Sequence, residues 1–260
     1  MQTSRDGWEP DQYHRFRQQR SAPFFDLLNL LRAVPGGRVA DLGCGTGELT
    51  VALHQRVGAS ETIGVDRSVS MLAAAPSEPG VSFVGRDMRD VGDLGPFDIV
   101  ASNAALQWVP DHAEVLALWS GLLRAGGQLA VQVPANADHP SHQVAAEVAR
   151  EPEFADAFPS GPPPDPVLSV LRPEQYASVL DRLGYAEQHV RLQVYGHRLA
   201  SSAEVVEWVR GTSLVRFREQ LAAPVFDRLV ERYRVRLLEV IGDQSPYFYP
   251  FKRILLWAAR

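Results

Sequence analysis

The sequence has 260 residues and only one cysteine, Cys44, which excludes an internal disulfide and a cysteine-rich metal site. Cysteine usage this low is typical of a protein that works in a reducing compartment. No stretch approaches the ~20 consecutive apolar residues that a membrane-spanning helix needs. The first segment, Met1–Pro10, is polar and lacks the apolar centre of a secretion signal. These absences predict a cytoplasmic protein that does not enter the membrane.

Lysine is almost absent, and arginine supplies nearly all of the 26 basic residues, against 31 acidic ones. Binding of nucleic acid needs clustered basic side chains for phosphate contacts, and the sequence has no long basic run. The charge-rich segment Glu231–Arg236 is therefore interpreted as a solvated helix face. Histidine, aspartate and glutamate also show no cluster with the spacing of metal ligands. We expect neither a nucleic-acid partner nor a metal.

Strands and helices alternate over the first half of the chain. After a helical segment at Ser21–Leu31, the apolar pattern predicts strands at Arg38–Leu42, Thr62–Val65, Val81–Val84, Asp98–Ser102 and Gln128–Val133. The helices between them are predicted at Glu48–Arg56, from the capping residue Ser68 to Ala75, and at His112–Arg124, which Gly126-Gly127 would end. This alternation predicts an α/β fold with a Rossmann-like, doubly wound, mostly parallel sheet.

The pattern changes after Val133. A loop-rich stretch at Pro134–Pro173 holds one helix near His142–Arg150 and a proline-rich loop at Phe158–Pro166. Later predicted elements are helices at Arg172–Leu183, from Ser201 or Ser202 to about Val215, and at Phe226–Ile241, with strands at Ala186–Leu199 and Arg253–Ala259. We interpret residues 1–260 as one domain, in which approximately 135–225 form a helical lid and the last two strands return to the same sheet.

The strongest chemical signal is Val39–Gly47, in which a buried strand ends in Asp41 and three alternating glycines lead into a helix. Glycines let the backbone turn sharply and approach a ligand closely, and open α/β sheets bind ligands at the carboxyl ends of their strands. Asp66 ends the second strand, where its carboxylate can accept from both hydroxyls of a ribose. Asp87 follows the third strand, where it can accept from an adenine amino group. Together these features predict a nucleoside-containing ligand.

Two ligand classes compete for this site. Dinucleotide oxidoreductases usually carry Gly-x-Gly-x-x-Gly and place a pyrophosphate at the helix N-terminus. Here the spacing is Gly-x-Gly-x-Gly, and Glu48 lies where the pyrophosphate would be repelled. S-adenosylmethionine (SAM) has a sulfonium and no phosphate, so it avoids this conflict. We favour SAM. Measured binding of a nicotinamide cofactor would instead indicate a dinucleotide oxidoreductase.

The chain resembles the class I SAM-dependent methyltransferases in Val39–Gly47, Gly64-Val65-Asp66, Phe97-Asp98-Ile99-Val100 and Leu122–Pro134. More narrowly it resembles the trans-aconitate 2-methyltransferases, in Trp8-Glu9-Pro10 with Tyr13, Phe16 and Arg20, in Ser102–Trp108, in Asp111-His112 and in Gln132-Val133-Pro134. The resemblance implies a seven-stranded sheet whose last strand is antiparallel. It also implies methyl transfer from SAM to one carboxylate of a small tricarboxylate, with a monomethyl ester and S-adenosylhomocysteine as products.

The predicted cofactor site combines the acids and the glycine loop with residues that the resemblance suggests. Tyr13, Phe16 and Arg20 would share one helical face, with Arg20 on the methionyl carboxylate of SAM or, alternatively, in a surface ion pair. Cys44 is interpreted as a small residue in a tight turn rather than a nucleophile. The full predicted set is Tyr13, Arg20, Asp41, Gly43, Cys44, Gly45, Asp66, Arg67, Asp87, Met88 and Asn103.

The acceptor side is predicted from chemistry and from the resemblance. Asn103-Ala104-Ala105 replaces the Asn-Pro-Pro-aromatic motif of many N-methyltransferases. A carboxylate acceptor has a pKa of about 4 and is already ionised at pH 7, so no catalytic base is expected. Spare carboxylates need Arg, His, Tyr or backbone donors, and the predicted substrate residues are His14, Gln107, Trp108, His197, Tyr247, Tyr249 and Arg253. For Trp108, His197 and the aromatic run Tyr247–Phe251, structural packing stays an alternative, while Trp208 is predicted to be core.

Other functions stay open from the sequence. A SAM-dependent methyltransferase of this fold could act on another small acid or on a phenol, since a fold does not fix its substrate. A SAM-binding protein without catalysis would retain the same glycine loop. The predicted partner is in each enzymatic case a small molecule.

Overall fold

The computed structural model describes the backbone of residues 17–260 and the side chains of residues 21–260. These residues divide into two compact units. The sheet unit comprises 20–135, 169–193 and 252–260, and the described part of the helical unit comprises 17–19, 136–168 and 194–251. Two long strands contribute residues to both units. No helix in the described part of the chain is long and apolar enough to span a membrane.

The sheet has seven strands in the order β3-β2-β1-β4-β5-β7-β6. The strands are β1 (Arg38–Leu42), β2 (Glu61–Asp66), β3 (Val81–Gly85), β4 (Phe97–Asn103), β5 (Leu123–Pro134), β6 (Glu187–Leu199) and β7 (Tyr247–Ala259). The first five are paired in parallel, and β7 is antiparallel to β5. The predicted doubly wound, mostly parallel sheet with an antiparallel last strand is therefore confirmed, and both late strands belong to this sheet.

Within residues 17–260 the α-helices, in chain order, are α1 (Arg17–Leu28), α2 (Glu48–Val57), α3 (Val69–Leu72), α4 (His112–Gly121), α5 (Pro140–Val148), α6 (Pro152–Ala155), α7 (Pro173–Arg182), α8 (Glu204–Arg210), α9 (Val215–Arg218) and α10 (Ala223–Ile241). Short 3₁₀ turns occupy Leu106–Trp108 and Pro166–Ser169. Proline occupies the first turn of α5, α6, α7 and α10, where its missing N–H costs no helical hydrogen bond.

Both faces of the sheet are covered within the sheet unit. One face packs Val131 and Val133 of β5 into a core with Trp119 of α4 and Tyr176 of α7. On the other face, Phe24 of α1 and Leu53 of α2 pack against Val39 and Ile99. Burial on both faces explains why these strands are nearly continuous apolar runs in the sequence.

Three predicted helix ends are wrong, and the first is that of α1, which ends at Leu28 instead of Leu31. Ser68 caps α3 as expected, with its hydroxyl accepting from the Met71 N–H at 3.2 Å, but α3 ends at Leu72 instead of Ala75. Helix α4 ends at Gly121 instead of Arg124, because Leu123 already pairs with Phe97 of β4. The register then shifts so that Ile99 pairs with Gln128. Gly126 and Gly127 thus lie in an irregularity of β5 and do not end a helix.

Two further boundaries differ in the later part of the chain. The single helix predicted from Ser201 or Ser202 to about Val215 is two helices, α8 and α9, with Gly211 as the C-cap of α8. The last strand begins at Tyr247 instead of Arg253, because the aromatic run is part of β7.

The helical unit has its own core and its own boundaries. Helices α5, α8 and α10 bury Val148, Trp208 and Leu229 in one apolar cluster with Phe217 of α9. The predicted lid at about 135–225 does not match this unit, because residues 169–193 belong to the sheet unit and the helical unit extends to 251. The single-domain interpretation and the role of a lid stay predictions.

Candidate active site

The glycine loop between β1 and α2 folds over the end of β2. The N–H groups of Gly43 and Cys44 both donate to the carbonyl of Val65, at 2.7 and 3.0 Å. Gly43, Gly45 and Gly47 have φ angles of 79°, 57° and 73°, in the left-handed region that favours glycine. At Gly43 space is also lacking, since a Cβ built there would lie 2.2 Å from the Cβ of Ala105. The alternating glycines are thus required by this loop.

Asp66, at the end of β2, is tied to that loop. One carboxylate oxygen accepts from the Gly45 N–H at 2.8 Å, and the other accepts from the Ser68 N–H at 2.9 Å. A carboxylate oxygen has more than one lone pair, so Asp66 retains capacity for further donors. The structure therefore brings the predicted ribose-binding acid and the glycine loop together.

Asp41, at the end of β1, is 3% exposed and accepts from the Thr50 hydroxyl at 2.6 Å. Burial raises the pKa of this carboxyl to about 6, although the Thr50 hydrogen bond lowers it, and the nearby charge of Asp66 raises it further. A buried acid whose pKa approaches neutrality is typical of a functional site. Asp41 was predicted from the motif, and its partner Thr50, on α2, was not.

Asp87 lies after β3 and is paired with Arg89. Its carboxylate accepts from the Arg89 side chain through Nε and Nη2, both at 2.8 Å, and from the Arg89 backbone N–H at 2.9 Å. These hydrogen bonds hold the pKa of Asp87 at about 2. The predicted neighbours Arg67 and Met88 are exposed and half-buried, respectively. The carbonyl of Met88 accepts from the Trp119 indole at 2.9 Å, which fixes this segment on the core.

The segment after β4 is strained and polar. Ala104 has a φ of 54°, which non-glycine residues rarely adopt. The Gln107 amide donates to the Ala104 carbonyl at 2.6 Å and so closes the turn. Among the described residues, the side-chain oxygens of Asn103 and Gln107 are buried and have no hydrogen-bond partner. Unsatisfied buried acceptors beside a strained turn are a feature that a bound ligand would explain.

Gln132 is a residue that the site prediction missed. It is the register partner of Asn103 in the neighbouring strand β5, and it is 1% exposed. Its side-chain nitrogen also lacks a partner within the part of the chain that the structure describes. The sequence carried a signal, because Gln132-Val133-Pro134 is one of the segments of the resemblance.

Cys44 lies inside the glycine loop. Burial raises the pKa of its thiol far above the ordinary value, and the charges of Asp41 and Asp66 raise it further. A thiol that stays protonated is a poor nucleophile, which favours the interpretation of Cys44 as a small turn residue. Glu48 is the first residue of α2. Its negative charge therefore lies at the helix N-terminus, where a pyrophosphate would be repelled.

The predicted acceptor residues are divided between the two units. His197, Tyr247 and Tyr249 lie in the helical unit, in an aromatic cluster around Trp208. Trp208 is 1% exposed, which confirms it as core. Gln107, Trp108 and Arg253 lie in the sheet unit, where Arg253 is a buried residue of β7 opposite Pro134. Tyr13, His14 and the Arg20 side chain lie outside the described residues.

No three His, Cys, Asp or Glu side chains among the described residues group closely enough to hold a metal ion. Carboxylate, amide and backbone groups lie at the ends of β1, β2 and β4.

Comparison with solved structures supports the fold. The YcgJ protein from Bacillus subtilis superposes with a TM-score of 0.58 at 14% identity, over 92% of this chain and 97% of that one. Phosphoethanolamine N-methyltransferase 2 from Haemonchus contortus, solved with S-adenosyl-L-methionine, gives 0.54 at 16% identity, over 92% of this chain and 52% of that one.

Comparison of sequences is more specific. Residues 39–127, which contain the glycine loop and strands β1 to β4, match the family model described as a methyltransferase domain. A trans-aconitate 2-methyltransferase from Deinococcus radiodurans is 40% identical, over 97% of this chain and 98% of that protein. One of the same name from Mycobacterium sp. (strain KMS) is 37% identical, over 96% and 98%. The chain therefore belongs to the trans-aconitate 2-methyltransferase family.

Proposed function

We propose that this protein transfers a methyl group from SAM to one carboxylate of trans-aconitate and releases a monomethyl ester. The observation that carries this conclusion is the near full-length match, 97% of the chain, to a relative that bears this name. The match reaches well beyond the methyltransferase domain at residues 39–127, so it includes the later segments in which substrate specificity is expected to lie.

The residues present fit SAM. Asp66 offers lone pairs beside the backbone of Gly45, and Asn103 has a buried oxygen without a partner among the described side chains. Asp41 is an anion near this loop that would favour the positively charged groups of the ligand. When bound, SAM would supply an electrophilic methyl group on a positively charged sulfur.

The described residues have a positioning role in this reaction. An acceptor carboxylate has a pKa of about 4 and is ionised at neutral pH, so no side chain has to remove a proton. The turn at Ala104, closed by Gln107, fixes the end of β4, while the glycine loop and Asp66 fix the cofactor side. Orientation and exclusion of water are then the main sources of rate.

A methyl-transfer assay tests the substrate. Purified protein is given SAM with a radiolabelled methyl group and, separately, trans-aconitate, cis-aconitate, citrate, isocitrate and a simple phenol. We expect base-labile label on trans-aconitate well above the other acids, since esters hydrolyse in base and phenyl ethers do not. Label on the phenol or on another acid would show that this compound, and not trans-aconitate, is the substrate. SAM binding without label on any compound would favour a non-catalytic SAM-binding protein.

Replacement of Asp66 by alanine tests the cofactor site. We expect SAM to bind more weakly, because hydrogen bonds to a charged group are worth about 1.5–3 kcal/mol, which corresponds to roughly tenfold to hundredfold in Kd. Calorimetric titration measures the effect. Asp93→Ala is the matched control, since Asp93 is exposed and pairs with Arg86. An unchanged Kd for Asp66→Ala would contradict the ribose-binding role.

Several expectations stay predictions. These are the individual cofactor and substrate residues, the single domain with its lid, the absence of nucleic-acid and membrane partners, and the cytoplasmic location.

A further inference from the structure

Residues 104–111, which we call the acceptor segment, link the end of β4 to the start of α4 and are strained at both ends. Ala104 and Asp111 each have a φ of 54°, and they are the two non-glycine residues with a positive φ in the described part of the chain. Backbone strain of this kind persists only where the surrounding structure holds it. The acceptor segment carries Gln107 and Trp108, two of the predicted substrate residues. The contacts that hold the segment therefore decide how these two side chains are presented.

His112, the first residue of α4, is held by a residue of another helix. It is 2% exposed, and its Nδ1 is hydrogen-bonded to the hydroxyl of Tyr176 on α7 at 2.6 Å. The two rings are stacked, with their centroids 6.0 Å apart. The Tyr176 hydroxyl also accepts from the Leu171 N–H at 3.4 Å, which ties it to the backbone before α7. Helix α7 thus holds the side chain with which α4 begins.

The ring of His112 also interacts with the backbone of the acceptor segment. Burial lowers the pKa of His112, although interaction with the backbone of Val109 and Leu106 favours the charged form of the ring. The ring is therefore neutral at pH 7. Leu106, Val109 and Tyr176 are members of the same buried apolar cluster. His112 thus connects its anchor on α7 to the acceptor segment.

A second buried tyrosine of the sheet unit is bonded to the other end of α4. Tyr185 is 5% exposed, and its hydroxyl is hydrogen-bonded to Ser120 Oγ at 2.7 Å. The Ser120 hydroxyl in turn donates to the Leu116 carbonyl at 2.6 Å, so this chain of hydrogen bonds continues within α4. Both tyrosines place a hydroxyl against α4, and of the two it is Tyr176 that does so beside the acceptor segment.

We propose that the hydrogen bond between His112 and Tyr176 positions the acceptor segment, so that Gln107 and Trp108 orient the carboxylic acid substrate. In this role His112 and Tyr176 act through the turn and need no contact with the substrate. The inference rests on the proposed function, in which the rate depends on orientation of the acceptor and not on a catalytic base. A displacement of about 1 Å at such a site can lower the rate on the order of a hundredfold.

Tyr176→Phe tests the proposal, because it removes one oxygen and leaves the ring in place. We expect kcat/KM for trans-aconitate to fall about tenfold or more. The Kd for SAM should stay unchanged, because the hydrogen bond between Asp66 and Gly45 in the cofactor loop does not involve this pair. Steady-state kinetics and calorimetry measure the two quantities.

Tyr185→Phe is the matched control, since it removes the equivalent hydroxyl from the other end of the same helix. Urea denaturation should show a similar loss of stability for both variants. Tyr185→Phe should nevertheless retain the kcat/KM of the wild type. An equal loss of kcat/KM in Tyr176→Phe and Tyr185→Phe, or a loss in neither, would overturn the proposal.

Variants of His112 separate positioning from packing and serve if Tyr176→Phe does not fold. His112→Asn keeps a polar atom close to the place of Nδ1 and can still bond to Tyr176, whereas His112→Leu cannot. We expect His112→Asn to retain most of the activity and His112→Leu to lose as much as Tyr176→Phe. The double variant with leucine and phenylalanine should lose no more than either single variant, because both changes remove one interaction. Additive losses would contradict the proposal.

The tryptophan indole signals in a proton–nitrogen correlation spectrum report on the acceptor segment without catalysis. Trp108 lies in that segment, while Trp119 is the neighbour of Ser120 on α4. Tyr176→Phe should shift the Trp108 signal, and Tyr185→Phe should shift the Trp119 signal and leave that of Trp108 in place. Replacement of each tryptophan by phenylalanine assigns the signals.

This spectrum also separates the positioning role from the proposed function. A wild-type protein that methylates no acid, with the Trp108 signal shifted in Tyr176→Phe, would contradict the proposed function and sustain the hold of His112 and Tyr176 on the acceptor segment. Methylation of trans-aconitate with a Trp108 signal that Tyr176→Phe does not move would sustain the proposed function and overturn the positioning role.

Discussion

Replacing Gly43 with alanine is expected to abolish SAM binding and to lower the free energy of unfolding by roughly 2–5 kcal/mol. Gly43 has a φ of 79°, and a Cβ there would lie 2.2 Å from the Cβ of Ala105 and 3.3 Å from Met88 Cε. Ala105 follows the strained residue Ala104, so the added methyl group would displace the β4 turn as well as the glycine loop. Urea denaturation measures the stability, and calorimetry measures the binding of SAM.

Gly36→Ala is the control that separates steric conflict from backbone strain. Gly36 has a nearly identical φ of 76°, but no atom lies within 4 Å of a Cβ built there. Only the left-handed backbone is then penalised, by about 1–2 kcal/mol, and SAM should bind normally. Equal destabilisation of the two variants would show that the contact with Ala105 is not the cause.

Replacing Asp41 with asparagine is expected to stabilise the protein without ligand at pH 7.5. The folded-state pKa of Asp41 is about 6, above the ordinary value of 3.8 for an aspartate carboxyl. An acid with a raised pKa contributes most favourably below the unfolded pKa and loses that contribution as the pH rises through the folded pKa. The penalty at neutral pH is on the order of 3 kcal/mol, a figure that already includes the favourable Thr50 hydrogen bond, and asparagine retains that hydrogen bond in a weaker, uncharged form.

Urea denaturation at pH 4, 6 and 7.5 checks the sign. The stability of Asp41→Asn relative to wild type should be near zero at pH 4 and should increase up to pH 7.5, because only the wild type has to ionise a buried group. A difference that does not vary with pH would show that the pKa of Asp41 is not raised.

The same variant should bind SAM more weakly, although it is more stable. The buried negative charge of Asp41 lowers the stability of the protein without ligand, but it would strengthen the binding of the positively charged groups of SAM. Such a loss of stability in favour of function is common. Calorimetry at pH 7.5 compares the two proteins. SAM binding by Asp41→Asn as tight as that of wild type would remove the functional reason for the buried charge.

The sheet and the cofactor loop could be predicted because their signals are local. Asp41 and the glycines follow one another directly, and Asp66 is recognisable because it ends an apolar run. The end of α4 was mispredicted because Leu123 pairs with Phe97 of β4 and so belongs to β5. The helical periodicity of the sequence gives no information about this pairing.

Residues whose partners are distant in the sequence could not be predicted. Gln132 joins the site through its register with Asn103, which is set only when β4 and β5 pair. His112 and Tyr176 are 64 positions apart, and Tyr176 lies in no motif. Their contact depends on the packing of α7 against α4.

The two hydrogen bonds that Asp66 accepts from Gly45 and Ser68 have a thermodynamic consequence. They hold the loop in its shape through groups that belong to the chain itself. Ordering a flexible segment on binding subtracts conformational entropy from the affinity, and here that ordering is already achieved during folding. Loss of Asp66 should therefore make SAM binding entropically less favourable, in addition to removing an acceptor. The cofactor loop is preorganised by the same carboxylate that is predicted to bind the ribose.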